Sequence, residues 1–102
     1  MARLENKIAI ITGGGSGLGK EDSLRMAREG AFIYVTDVNE DAAKAVAAQI
    51  VDEGGGAKAM HLDVASVDSW KQAYAAIEAD HGKLDILVNN AGIVIVATPE
   101  ET

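Results

Sequence analysis

Five glycines fall between Gly13 and Gly19, in a stretch that reads TGGGSGLGKED from Thr12 to Asp22, directly after the apolar run IAII. Three chemistries use glycine at such density: a turn that receives a dinucleotide, a loop that wraps a nucleoside triphosphate, and an elbow that presents a nucleophilic serine. The elbow needs glycine two residues on each side of Ser16; Gly14 satisfies it and Leu18 does not. The triphosphate loop finds Gly14, Gly19 and Lys20 in register, then meets Glu21 where a hydroxyl has to ligate magnesium. A carboxylate there repels the phosphates. The common dinucleotide spacing G-x-G-x-x-G fails as well, at Leu18 counted from Gly13 and at Lys20 counted from Gly15. What remains is Gly13, three residues, Gly17, Leu18 and Gly19. A strand ends, a tight turn of little side-chain bulk follows, and a helix begins with free N–H groups aimed at an anion.

A second strand pattern ends at Asp37, 18 residues beyond Gly19, where a dinucleotide fold places the acid that accepts hydrogen bonds from the adenosine ribose. A 2′-phosphate beside that carboxylate is strongly disfavoured, because two unit charges about 4 Å apart repel by roughly 4 kcal/mol at a surface-like dielectric. Neither Val38 nor Asn39 supplies a cation to offset it, so the expected cofactor is NAD rather than NADP. Downstream, Asp63-Val64 follows the third strand pattern and Asn89-Asn90-Ala91-Gly92 follows the fourth.

Thr12 followed by this glycine spacing, with Asp63-Val64 and the NNAG run, resembles the cofactor-binding half of the short-chain dehydrogenases/reductases, and the resemblance covers the whole chain in order. It implies that Gly13, Gly15, Gly17, Leu18 and Gly19 form the phosphate turn and that Ser16 reaches the ribose. It implies that Asp37 and Val38 hold the adenosine side, that Asp63 and Val64 border adenine, and that Asn89, Ala91 and Gly92 line the cofactor cleft. Thr12 and Asn90 would tie the first strand to the fourth. One departure stands out: Lys20-Glu21-Asp22 lies early in the first helix, where carboxylates compete with pyrophosphate for the positive end of the dipole and are expected to weaken cofactor binding.

The family's reaction, hydride transfer between nicotinamide and an alcohol or carbonyl carbon, is implied together with a Ser and a Tyr-x-x-x-Lys downstream of NNAG. Tyr34 is followed four positions on by Val38 and Tyr74 by Glu78, so no such pair occurs. No catalytic residue and no metal site is assigned: His61 and His81 stand apart from other ligands at metal spacing, and each reads as structural. The expectation is an NAD(H)-binding half that is inactive alone and takes an alcohol or carbonyl substrate only with its second half. A stand-alone NAD-binding or self-associating module and a nucleoside-triphosphate binder remain as alternatives.

Short β-rich runs alternate with helical patterns, the signature of a parallel sheet with crossover helices. The expected fold is α/β, a Rossmann-type doubly wound sheet of about four strands in the order 3-2-1-4 with three helices, forming one domain over residues 1–102. Ala43, Val46, Ala47 and Ile50 make the apolar stripe of the second helix behind an Asn39 N-cap; Val67, Trp70, Tyr74 and Ile77 make that of the third, behind Ser66, with Gly82 ending it. Trp70 and Tyr74 are expected to pack on the sheet. The fourth strand, apolar and without a fifth beside it, is expected to be an exposed edge that drives self-association or leaves the chain dependent on a missing piece. A formal net charge of -7 argues against a nucleic-acid partner. The apolar run from Ala91 to Ala97 is too short to span a membrane, and the absence of cysteine fits a reducing compartment, so cytoplasm is expected.

Overall fold

The computed structural model describes residues 3–89 and 92–95. Its elements run β1 (Ile8–Ile11), α1 (Gly17–Arg28), β2 (Phe32–Asp37), α2 (Glu40–Asp52), β3 (Gly56–His61), α3 (Val67–His81), β4 (Ile86–Asn89) and β5 (Gly92–Ile95). β1 pairs in parallel with β2 and β4, and β2 in parallel with β3, which gives the expected order 3-2-1-4 for the first four strands.

Both faces of this sheet are covered, and the strands are apolar on both faces accordingly. In β1, Ala9 and Ile11 join Ile33, Val35, Val88 and the α2 stripe in one core, while Ile8 and Ile10 join Tyr34, Leu62, Ala73 and Ile77 in the other. The α2 stripe is buried as its periodicity predicts, and Asn39 caps that helix by accepting the Ala42 N–H at 3.2 Å. Ser66 caps α3 through the Ser69 N–H at 3.1 Å, and Gly82 ends it at φ 75°, a left-handed conformation that suits glycine.

Two expectations are corrected. Tyr74 does not pack on the sheet: it is exposed, its ring lying 5.7 Å from that of half-buried Trp70, and Val67 is exposed as well. The inward face of α3 is instead Trp70, Ala73 and Ile77, which pack with Ile8, Ile10, Tyr34 and Leu62. The fourth strand is also not an edge. β5 returns antiparallel against it, with Ile86 opposite Ile95 and Asn89 opposite Gly92, so the β-branched run after the NNAG motif occupies the hydrogen-bonding side that self-association was expected to use. No helix among the described residues is long and apolar enough to cross a membrane.

Candidate functional site

The loop between β1 and α1 is pinned at several points. Thr12 donates its backbone N–H to the Val88 carbonyl at 2.9 Å, tying β1 to β4 as its position suggested, and Gly14 donates to the Thr36 carbonyl at 2.8 Å. Buried Thr36 returns a bond from its hydroxyl to the Ile11 carbonyl at 2.7 Å. The chain can then double back only with glycine: Gly13 and Gly17 have φ of 61° and 58°, and a Cβ on Gly19 would lie 2.1 Å from the Gly13 carbonyl oxygen. Asn90, the other expected tie, lies outside the described residues.

At the start of α1 the Ser16 residue occupies the N-cap position in extended conformation, but its side chain accepts no capping hydrogen bond. The first helical bond runs from the Lys20 N–H to the Ser16 carbonyl at 3.2 Å. The N–H groups of Gly17, Leu18 and Gly19 therefore have no acceptor among the described residues, whereas α2 and α3 are closed by Asn39 and Ser66. An uncapped helix start of this kind can receive an anion. The first turn of α1 holds no acidic residue. This corrects the expected placement of Glu21 and Asp22: with the helix beginning at Gly17, both fall in the second turn, where the dipole effect is weaker.

Asp37 closes the neighbouring corner. One carboxylate oxygen accepts the Gly15 N–H at 3.0 Å and the other accepts the Asn39 N–H at 3.0 Å. The end of β3 lies alongside, because Asp37 pairs with His61 and its carbonyl accepts the Leu62 N–H at 3.1 Å. Asp63 and Val64 follow at once. Asp63 holds its turn by accepting the Ala65 N–H on its side chain at 3.0 Å, and the Val64 carbonyl accepts the Trp70 indole N–H at 3.0 Å.

The loops after β1, β2 and β3 thus meet at the carboxyl end of the sheet. They bring Gly13, Gly15, Ser16, Gly17, Leu18, Gly19, Asp37, Val38, Asp63 and Val64 to one end of the fold. Three of these are apolar yet open to solvent, Leu18 at 75%, Val38 at 64% and Val64 at 52%. Large exposed aliphatic side chains gathered beside donors and an acid suit a ligand with flat apolar rings and a charged middle. Asn89 ends β4 beside β1, at the same end; Gly92 begins β5 opposite it, and Ala91 lies outside the described residues. Two residues absent from the expected set also shape the turn. A Cβ on Gly14 would meet Val35 Cγ1 at 2.9 Å, and Ala42 backs Gly15 so closely that a Cβ there would lie 2.6 Å from its own. The unbroken glycine run hinted at the first; only the packing of α2 against the loop reveals the second.

The titratable side chains at this end among the described residues include Asp37, His61 and Asp63; Tyr34 stands elsewhere. Tyr34 is fully buried in the sheet face under α3, and its hydroxyl contacts Asp80 Oδ2 at 3.1 Å and His81 Nδ1 at 2.6 Å. Burial, reinforced by its bond to and the charge of Asp80, pushes the phenol well above the usual tyrosine range. His61 is exposed at the end of β3, and His81 closes α3 with its ring 4.3 Å from that of Phe32. Among the described residues no three His, Asp or Glu side chains gather as a metal site.

Residues 7–102 match the short chain dehydrogenase family. The whole chain is 39% identical to the cyclopentanol dehydrogenase of Comamonas testosteroni and spans 41% of that protein. Over 92 residues, 90% of the chain, it is 47% identical to the 2,5-dichloro-2,5-cyclohexadiene-1,4-diol dehydrogenase of Sphingobium indicum, covering 37% of it. A solved structure of a 7α-hydroxysteroid dehydrogenase complexed with NADH and 7-oxo glycochenodeoxycholic acid superposes with a TM-score of 0.83 at 42% identity, over 86% of this chain and 34% of that one. The chain spans about two-fifths of the length of the curated relatives it matches.

Proposed function

The chain belongs to the short-chain dehydrogenase family, and from that premise we propose that it binds NAD(H) at the carboxyl end of its sheet, as the cofactor-holding portion of an alcohol or carbonyl oxidoreductase. The observation that carries this reading is the pairing of an uncapped α1 N-terminus with Asp37 at the next strand end. The N–H groups of Gly17, Leu18 and Gly19 receive the pyrophosphate, and the backbone reaches it closely because no side chain fits at Gly19. Asp37 accepts the ribose hydroxyls. Each of its oxygens spends one lone pair on a backbone N–H and keeps another for a hydroxyl donor. A 2′-phosphate has no proton to give and carries like charge, which favours NAD over NADP. Val38 and Val64 flank the adenine, Ser16 lies within the ribose region, and Asn89 with Ala91 and Gly92 borders the nicotinamide half of the cleft.

The nicotinamide supplies hydride chemistry when bound. The residues of this chain hold and orient it; they do not move the proton. Neither tyrosine has lysine four positions on, and Tyr34 is locked in the core, so turnover belongs to a portion carrying Ser and Tyr-x-x-x-Lys. A triphosphate-binding role is disfavoured by Glu21, which is exposed in the second turn and offers no hydroxyl to a metal ion.

Calorimetric titration with NAD, NADP and ATP tests this. NAD is expected to bind, NADP more weakly, and ATP with magnesium not at all. A flat isotherm for NAD at millimolar concentration, with circular dichroism showing a folded chain, removes the proposal.

A further inference from the structure

Resting on that reading, we propose that Asp37 is also a positioning residue for the phosphate turn: through the Gly15 amide it holds the β1–α1 loop in the form that leaves the α1 N-terminus open to pyrophosphate. The two oxygens of its carboxylate engage two different loops, Gly15 after β1 and Asn39 after β2, each at 3.0 Å. Only a side chain with two acceptor atoms and no donor satisfies both.

The loop is fastened to β2 by successive amides, Gly14 to the Thr36 carbonyl and Gly15 to this carboxylate. The next residue, Ser16, provides the carbonyl that accepts the first bond of α1. The first helical residue, Gly17, therefore follows two residues after the point at which Asp37 grips the loop. The grip is backed by α2, since a Cβ on Gly15 would lie 2.9 Å from Asp37 Oδ2 and 2.6 Å from the Cβ of Ala42. Recognition of the ribose and recognition of the pyrophosphate are in this way coupled through one carboxylate.

Simple electrostatics makes the opposite prediction. Removing a negative charge beside an anion site ought to tighten the binding of a phosphate ligand that does not touch that charge. Inorganic pyrophosphate is such a ligand. Asp37→Ala and Gly15→Ala break the same contact from its two sides, and circular dichroism with a urea titration establishes that each variant is folded. Both are expected to lose about 10- to 150-fold in pyrophosphate affinity, the worth of a hydrogen bond to a charged group. The Gly15 amide of Asp37→Ala is expected to exchange its hydrogen faster in the absence of any ligand.

Unchanged Gly15 exchange in folded Asp37→Ala overturns the inference, as does pyrophosphate affinity that is unchanged or improved. A wild-type chain that binds NAD yet shows no affinity for pyrophosphate overturns it too, because a turn held ready for that group must receive it alone. If the wild-type chain binds neither, the NAD reading itself falls and takes this inference with it; the two failures are thereby separate.

Discussion

Gly19 and Gly13 sit so close that a methyl group on Gly19 would lie 2.1 Å from the Gly13 carbonyl oxygen. The first turn of α1 is pressed against the turn that leaves β1. Gly19→Ala is expected to force the loop and helix apart, at a cost of about 1–3 kcal/mol for overpacking a site with only backbone to yield. Urea unfolding measures the cost, and a calorimetric titration is expected to show NAD affinity reduced by about tenfold or more through the displaced donors.

Asp37→Ala is expected to weaken NAD and to narrow the gap between NAD and NADP. Losing acceptors for the ribose hydroxyls costs about 1.5–3 kcal/mol when the lost bonds involve a charged group. The 2′-phosphate at the same time escapes the repulsion that held it off. Parallel titrations with the two dinucleotides check this, and equal affinities before and after the change would falsify the assignment of Asp37 to the ribose.

The helix starts differ in what their N-cap residues do. Ser66 accepts the Ser69 N–H, so Ser66→Ala is expected to lose about 1 kcal/mol of stability with NAD affinity intact. Ser16 makes no capping bond, so Ser16→Ala is expected to leave the unfolding midpoint nearly where it was. A comparable loss in both variants would show that the α1 start is capped like the others.

The Tyr34 hydroxyl links β2 to the end of α3 and ties its pH behaviour to folding. Its folded value is raised above the unfolded one, chiefly by burial, so the stability it contributes is complete below about pH 10 and is lost as pH rises beyond the unfolded value. Urea midpoints are expected to fall steeply above that pH in the wild type and less steeply in Tyr34→Phe.

Asp80 acts at the other limit. The Lys58 ammonium at 3.0 Å, then the Tyr34 hydroxyl, hold its carboxyl below the ordinary aspartate range. Its stabilisation is present above about pH 4 and is lost as pH falls through the lowered folded value. Asp80→Asn is expected to flatten the acid side of the stability profile, read as the urea midpoint between pH 5 and pH 3.

Much of this protein was legible in its residues alone. Alternating β-rich runs and helical stripes determine a parallel sheet with crossover helices, because a strand apolar on both faces has to be covered on both. The glycine spacing after β1 determines where the backbone turns tightly, since Gly13 and Gly17 take φ of 61° and 58° and Gly19 has no room for a side chain. The caps at Asn39, Ser66 and Gly82 are equally local, depending on contacts three or four residues along the chain.

What only tertiary structure decided depends on where elements come to rest. The helical stripe through Val67 and Tyr74 is as periodic as the real one, but the direction in which α3 lies on the sheet selects Trp70, Ala73 and Ile77 instead. The Ile93-Val94-Ile95 run reads as apolar in sequence and could have lain anywhere; pairing antiparallel to β4 is a long-range choice that satisfies the backbone groups of a strand otherwise left open. The acids Glu21 and Asp22 read as first-turn residues until the helix start was placed at Gly17. The grip of Asp37 on Gly15, across 22 residues, arises because parallel pairing sets the ends of β1 and β2 side by side, and no spacing rule along the chain measures that distance.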